Sequence, residues 1–297
     1  MLNKFVIKSY QLLFRAVDLA FPDLAVRWAV RLFCTPQRYP KKQWESFPRL
    51  ALDEREIYFE SHNRLERSPA CYVRYQWGRG PAVLLVHGWE GRASQMAGFI
   101  KPLMDAGFSV ITFDAPAHGK APGKRTNLPE MAEVIADIQK QTGEFFAIIA
   151  HSFGGVVAAF AIRGGVRTEK LITIGSPASM KYIFDDFEKK LMASSDLMER
   201  FALEIERIAR MPVSEMSPER IAAGFSSPGL VIHDRNDKEV DLHQALRLHA
   251  NWKRSRLMLT ENQGHRRILN NERIIAAVLE FVTAEQESPV NTPFHQT

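Results

Sequence analysis

Residues 147–160 read Ala-Ile-Ile-Ala-His-Ser-Phe-Gly-Gly-Val-Val-Ala-Ala-Phe, so His151 and Ser152 interrupt an apolar run and two glycines follow almost at once. A buried strand accounts for the first apolar stretch and a helix packed on it for the second, which makes 150–155 the turn between them. A serine at the tip of such a turn stands above the edge of the sheet. The helix that follows aims its unpaired N–H groups and the positive end of its dipole at the same point. Those are conditions for nucleophilic attack on a carbonyl, with the Phe153 N–H placed to meet the developing oxyanion. The turn is tight, so the residues two before and two after the serine must lack bulk, and Ala150 and Gly154 satisfy that.

The elements that must hold this turn can be read from the hydrophobic pattern. Strands are predicted at 82–86, 109–113, 145–150, 171–174, 230–233 and 256–260, most of them almost wholly apolar, as strands covered on both faces are. Helical spacing occupies 93–106, 128–141, 153–163, 242–250 and 271–283, and this alternation implies parallel crossovers. Two earlier strands, 57–60 and 71–77, are separated by a polar loop and predict an antiparallel pair. Residues 176–227 are Met- and charge-rich and helix-like where a short crossover would serve, which predicts an inserted lid.

These residues resemble a family, the α/β-hydrolases, in particular its serine esterase and lysophospholipase-like members. Ala-His-Ser-Phe-Gly at 150–154 resembles the family's nucleophile elbow, with Ala150 in place of the first glycine. His87-Gly88-Trp89-Glu90-Gly91 resembles the turn after the third strand, which implies that the Trp89 N–H joins that of Phe153 in an oxyanion hole. Residues 114–119, Asp-Ala-Pro-Ala-His-Gly, resemble the D-x-x-G-x-G loop with Ala117 replacing a glycine, a matter of scaffold. Residues 233–240 resemble the G-x-x-D-x-x-V turn, implying Asp237 as the orienting carboxylate, with Asp234 in the usual glycine's place and as the alternative. Gln263-Gly264-His265 resembles the Gly-His loop that presents the base. Asp237 comes 85 residues after Ser152 and His265 another 28 after that, in the order Ser, Asp, His.

The resemblance covers roughly 55–285 and is weakest in the lid. It implies an α/β-hydrolase fold: a mostly parallel central sheet with helices on both faces, a small helical lid at about 176–227 within a domain of residues 51–285, and an N-terminal helical arm, 1–50. It also implies a serine hydrolase that cleaves a carboxylic ester of a small or lipid-like substrate through an acyl-enzyme. The same residues serve thioesterases, amidases, C–C hydrolases and acyltransferases, and the scaffold can carry a non-catalytic ligand-binding module, so these alternatives stay open. Of the other histidines, His87 is expected to bond within its turn and His118 to steady a loop, while His151 has no evident role. Arg266 and Arg267 are expected to be solvated or salt-bridged rather than to draw an anionic substrate.

Composition narrows the partners. The chain has 297 residues, 45% hydrophobic and 25% charged, as a globular protein does, and its last stretch, 286–297, is expected to be loose. Cys34 and Cys71 are too few for a secreted disulfide framework, which points to a reduced, cytoplasmic setting. No His or Cys spacing suits a metal, since His243 and His249 fall on different helix faces, and no G-x-G-x-x-G or phosphate loop follows a strand, so neither metal nor cofactor is expected. Residues 1–50 carry nine Lys or Arg against three Asp or Glu, +6 of a net +5, leaving −1 for the rest. That balance, without a basic stripe in the body, argues against nucleic acid. Lys4, Lys8, Gln11, Arg15 and Asp18 form a polar stripe on an amphipathic helix ending near Pro22, and Asp23 is expected to cap a second, 24–33. These helices are expected to pack on their own domain or on a partner subunit, with peripheral contact at the inner membrane surface as the alternative.

Overall fold

A computed structural model describes residues 4–40, 47, 53–63, 65–66 and 69–284; the expected loose tail, 286–297, and the arm's positions 41–46 and 48–50 lie outside the described residues. Along the chain come α1 (Lys4–Ala20), α2 (Pro22–Phe33), β1 (Asp53–Phe59), β2 (Ala70–Trp77) and β3 (Ala82–Val86). Then follow α3 (Ile100–Asp105), β4 (Ser109–Asp114), α4 (Leu128–Thr142), β5 (Phe145–His151), α5 (Phe153–Arg163) and β6 (Thr168–Ile174). The chain continues through α6 (Met180–Leu191), α7 (Ser195–Ala209), α8 (Pro218–Ala222), β7 (Gly229–Asp234), α9 (Leu242–Asn251), β8 (Ser255–Thr260) and α10 (Glu272–Thr283).

The strands form one eight-stranded sheet in the order β1-β2-β4-β3-β5-β6-β7-β8. β2 runs antiparallel to both β1 and β4, and every pairing from β4 to β8 is parallel. Alternation along β3 shows why the inner parallel strands are largely apolar: Leu84 and Val86 enter one core with α4, α5 and the 180–209 helices, while Val83 and Leu85 enter the other with Phe99, Ile100 and α10. Edge strand β1 keeps four charged residues, Asp53, Glu54, Arg55 and Glu56, which protects its free side from further pairing. The chain moves outward from β3 to β4 and then returns to place β5 on the other side of β3. The crevice above the carboxyl ends of β3 and β5 is therefore the switch point where α/β sheets put ligand sites.

Two local expectations are corrected. Residues 93–106 are not one α-helix; Ala93–Phe99 is a 3-10 segment that passes into the short α3. Asp23 does not cap α2: Phe21 holds the cap position without a side-chain bond, Pro22 starts the helix, and Asp23 pairs instead with Arg200 of α7. Proline at the first turn explains both, since its fixed φ starts the helix one residue before the aspartate.

The segment between β6 and β7 is helical, and its helices α6 and α7 receive the arm. Phe33 meets Phe184, Phe187 and Phe201 edge-on or near it, with ring centroids 5.1–5.5 Å apart. Gln11 donates to the Lys190 carbonyl at 2.9 Å, and Asp18 accepts from the Ser194 N–H at 3.3 Å. A cavity of about 760 Å³ opens between α1 and α6, and Ser152 is not among its lining residues. Among the described residues, no helix is long and apolar enough to cross a membrane.

Candidate active site

Ser152 sits between the last residue of β5 and the first of α5 with φ +53° and ψ −128°. A serine enters that region only at a cost, and here surrounding bonds impose it: its N–H donates to the Ile174 carbonyl at 2.9 Å, and its own carbonyl accepts from Gly155 at 2.9 Å. The smallness of its neighbours has a direct cause. A Cβ on Gly154 would lie 2.6 Å from the His87 carbonyl oxygen and 2.7 Å from that of Val86, and one on Gly88 would lie 2.8 Å from the Ser152 Cβ. The loop after β3 and the turn after β5 are thus pressed together across the switch point.

This close approach brings Trp89 and Phe153 side by side, their rings T-shaped with centroids 5.6 Å apart. Neither the Trp89 N–H nor the Phe153 N–H has a hydrogen-bond partner among the described residues. Two buried histidines brace the loop. His87 donates from Nδ1 to the Gly88 carbonyl at 2.7 Å and accepts from the Ala115 N–H on Nε2 at 3.1 Å. His118 donates from Nδ1 to Pro116 at 3.0 Å and accepts on Nε2 from the N–H of Glu90, whose φ is +58°. Burial, together with the charge of His87, lowers the His118 pKa to about 3, so it acts as a neutral bridge. The expected roles of His87 within its turn and His118 in its loop match these bonds.

In the loops that follow β7 and β8, Asp237 and His265 are joined: Oδ2 lies 2.7 Å from Nδ1. The other oxygen, Oδ1, accepts from the N–H groups of Glu239 at 2.8 Å and Val240 at 3.0 Å. Burial pushes the Asp237 carboxyl up, but the hydrogen bond and charge of His265 and the two backbone donors outweigh it, and the pKa is lowered. A donor on Nδ1 leaves Nε2 of the neutral ring as the acceptor. Among the described residues, Nε2 carries no hydrogen bond and Ser152 Oγ makes none; Nε2 lies 3.9 Å from Glu239 Oε2.

His151 fixes the base from the serine's side. Its Nε2 donates to the His265 carbonyl at 2.8 Å, and the two rings stand 4.7 Å apart. Burial and then the charge of His265 lower its pKa to about 3. This is the role that the sequence left blank, since the contact joins residues 114 positions apart and no local pattern records it.

Asp234, the alternative to Asp237, does not touch His265. Fully buried, it accepts from Asn236 N at 3.0 Å, Thr260 Oγ1 at 2.9 Å and Gln263 N at 2.9 Å, tying the loop after β7 to the loop after β8. Arg266 pairs with Glu239 at 3.3 Å, and Arg267 donates to the carbonyls of Gln263 and Asn262, in line with a salt-bridged or structural reading.

A second feature escaped the sequence. The chain leaving α2 runs along the lip of the site. The Gln37 N–H donates to Glu90 at 3.2 Å, Arg38 donates to the carbonyls of Ala117, Ala121 and Gly123, and Arg92 donates to the Tyr39 carbonyl. Burial and the neighbouring Glu90 raise the Tyr39 pKa, and its hydroxyl donates to the Gln37 side chain at 3.1 Å. The only hint was a pair of prolines, Pro36 and Pro40, marking irregular chain.

No group of three or more His, Cys, Asp or Glu suited to a metal occurs among the described residues. Cys34 and Cys71 are both buried and free, and burial raises their pKa values to about 12 and about 11. The arrangement therefore offers a hydroxyl on a strained turn, a carboxylate-held imidazole tied through its carbonyl to the neighbouring His151, and two backbone donors without partners among the described residues.

Comparison with known proteins bears on that arrangement. Residues 83–277 match the model of the Alpha/beta hydrolase family. The human "Serine hydrolase-like protein" is 34% identical over 112 residues, a match taking in 34% of this chain and 53% of that protein. The pimeloyl-(acyl-carrier protein) methyl ester esterase of Aeromonas salmonicida (strain A449) is 31% identical over 105 residues, 34% of this chain and 40% of that protein. The chain thus spans about half, or less, of the length of these curated relatives. Among solved structures, bromoperoxidase from Bacillus anthracis superposes with a TM-score of 0.58 at 18% identity, covering 73% of this chain and 96% of its own, a likeness of fold.

Proposed function

The chain belongs to the alpha/beta hydrolase family, and from that membership and the geometry around Ser152 we propose that it is a serine hydrolase cleaving a carboxylic ester of a small or lipid-like substrate. The observation that carries the reading is the strained Ser152 turn beside His151, which is bonded to the His265 carbonyl at 2.8 Å, with His265 Nδ1 held by Asp237 at 2.7 Å and its Nε2 free of hydrogen bonds among the described residues. His265 takes the Oγ proton as Ser152 attacks the ester carbon. The negative charge that develops on the carbonyl oxygen is met by the Trp89 and Phe153 N–H groups. His265 then returns the proton to the departing alcohol as the C–O bond breaks, and the same imidazole activates the water that releases the acid. A hydrogen bond between Oγ and Nε2 is absent before substrate binds, and such bonds commonly tighten only in the Michaelis complex.

Ester is preferred among the serine chemistries because one relative is a methyl ester esterase. Hydrolysis of p-nitrophenyl esters of graded chain length, by wild type and by Ser152→Ala, tests the reading. Turnover should fall at least about a thousandfold in the variant. Retained activity in Ser152→Ala would remove the serine from the chemistry. The missing Oγ–Nε2 bond also suits a rival, a ligand-binding module without turnover. Labelling by a fluorophosphonate separates the two, since a folded protein that never labels at Ser152 is not a serine hydrolase.

A further inference from the structure

The arm presents a face that none of the described residues covers. Leu12, Leu13, Leu19, Phe21 and Leu24 are each more than half exposed, five large apolar side chains within thirteen positions. On α1, positions 12, 13, 16, 19 and 20 share one side, Leu-Leu-Ala-Leu-Ala, and all are exposed. The opposite side is committed: Phe14 is fully buried against Trp28, Asp18 accepts from Ser194 N, and Gln11 donates to Lys190 O. The helix cannot turn its leucines inward without breaking all three contacts, so the exposed ridge is held in place.

Charge selects the occupant. On α1 and α2 the exposed charges among described side chains are Lys8, Arg15, Arg27, Arg31 and Asp23, and the single acid is paired with Arg200. Residues 51–297 sum to −1, so the positive charge is a property of the arm, residues 1–50. A second copy docking face to face would set these cations against their own kind, because the one exposed acid of α1 and α2 is already paired with Arg200. An anionic bilayer supplies the answer: apolar side chains enter the headgroup boundary while lysine and arginine meet phosphates and carboxylates. We propose that the α1 ridge and the Phe21–Leu24 turn form a docking surface for an anionic lipid bilayer. The surface is independent of the chemistry at Ser152, although the chain leaves it to reach the lip of that site at Gln37–Tyr39.

Removing the arm is a poor test, because it would strip Phe33 from Phe184, Phe187 and Phe201. Full-length protein is instead sedimented with phosphatidylcholine vesicles containing phosphatidylserine, and with phosphatidylcholine alone, at low and high salt. Wild type should bind the anionic vesicles at least about tenfold more than the neutral ones, and salt should weaken it. Leu12→Ser/Leu19→Ser/Phe21→Ser should lose at least about tenfold in binding while keeping its circular dichroism and melting temperature, since the side chains removed are solvent-exposed. Lys8→Gln/Arg15→Gln should erase much of the preference for phosphatidylserine. Equal binding by wild type and the triple variant, or no vesicle binding at all, overturns the proposal. A concentration-dependent dimer that the triple variant abolishes, without vesicle binding, assigns the face to a second copy and overturns it equally.

Discussion

Asp237 grips His265 through one oxygen, 2.7 Å from Nδ1, while the backbone grips Asp237 through the other at Glu239 and Val240. The carboxylate is thus positioned by its own turn before it positions the ring. Asp237→Asn can preserve the shape of this contact but can offer its NH₂ to Nδ1, which reverses the tautomer and puts the proton on Nε2. Ester turnover and fluorophosphonate labelling should both fall about a thousandfold or more, with little change in melting temperature. Activity within tenfold of wild type would show that the carboxylate does not orient the base.

Asp234 should behave in the opposite way. It is fully buried and joins two loops through three hydrogen bonds, and replacing it by alanine leaves three donors unanswered. Asp234→Ala should therefore cost about 3 kcal/mol in a urea titration, with activity falling only as far as the loops loosen. A variant as stable as wild type but inactive would move the catalytic carboxylate role from residue 237 to residue 234.

The contrast shows what the sequence could carry. Strands β3 to β7 were legible because burial on both faces leaves nearly continuous apolar runs, the half-buried edge strand β8 because of its Leu-Met-Leu core, and Ser152 because its turn demands small neighbours at fixed offsets. Choosing between Asp234 and Asp237 required the resemblance, since they stand three positions apart where β7 passes into its loop and only three-dimensional placement decides which meets His265. The His151 bond to the His265 carbonyl, the strap at Gln37–Tyr39 and the docking of α2 on α7 join positions tens to hundreds of residues apart, and no periodicity encodes them. The failed cap at Asp23 was local but ambiguous: proline and aspartate both mark helix starts, and the proline came first.

Gly154 and Gly88 carry the tightest contact between the two halves of the crevice, and the obstacles differ in kind. A methyl group at 154 meets backbone carbonyls at 2.6 and 2.7 Å, whereas one at 88 meets the Ser152 Cβ at 2.8 Å and the His151 carbonyl at 3.2 Å. Gly154→Ala should force β3 and α5 apart and destabilise the fold by about 2 kcal/mol or more, measured by chemical unfolding. Gly88→Ala should displace the serine and lower kcat at least about tenfold, with a smaller loss of stability. If either alanine variant unfolds and turns over as wild type does, the loops are farther apart than the structure places them.

Buried neutral histidines also give the protein an acid limb that can be assigned. Burial and neighbouring histidine charge hold His118 and His151 at about 3, and burial lowers His87 and His233 as well. Because the unfolded chain takes up these protons first, near pH 6.5, stability is lost progressively as pH falls from about 6.5 toward the folded values. Each such histidine contributes a slope of about 1.4 kcal/mol per pH unit within that window. The lowered carboxyls of Asp234 and Asp237 act later, their contribution being complete above the unfolded value of about 3.9 and lost as pH falls through their lower folded values. Urea midpoints between about pH 6.5 and 5 therefore isolate the histidines. His151→Gln, which can still donate to the His265 carbonyl but cannot titrate, should flatten the limb by the slope of one group. A wild-type stability independent of pH across that window would mean that these rings accept protons inside the fold, and the neutral bracing of the Trp89 and His265 loops would fall with it.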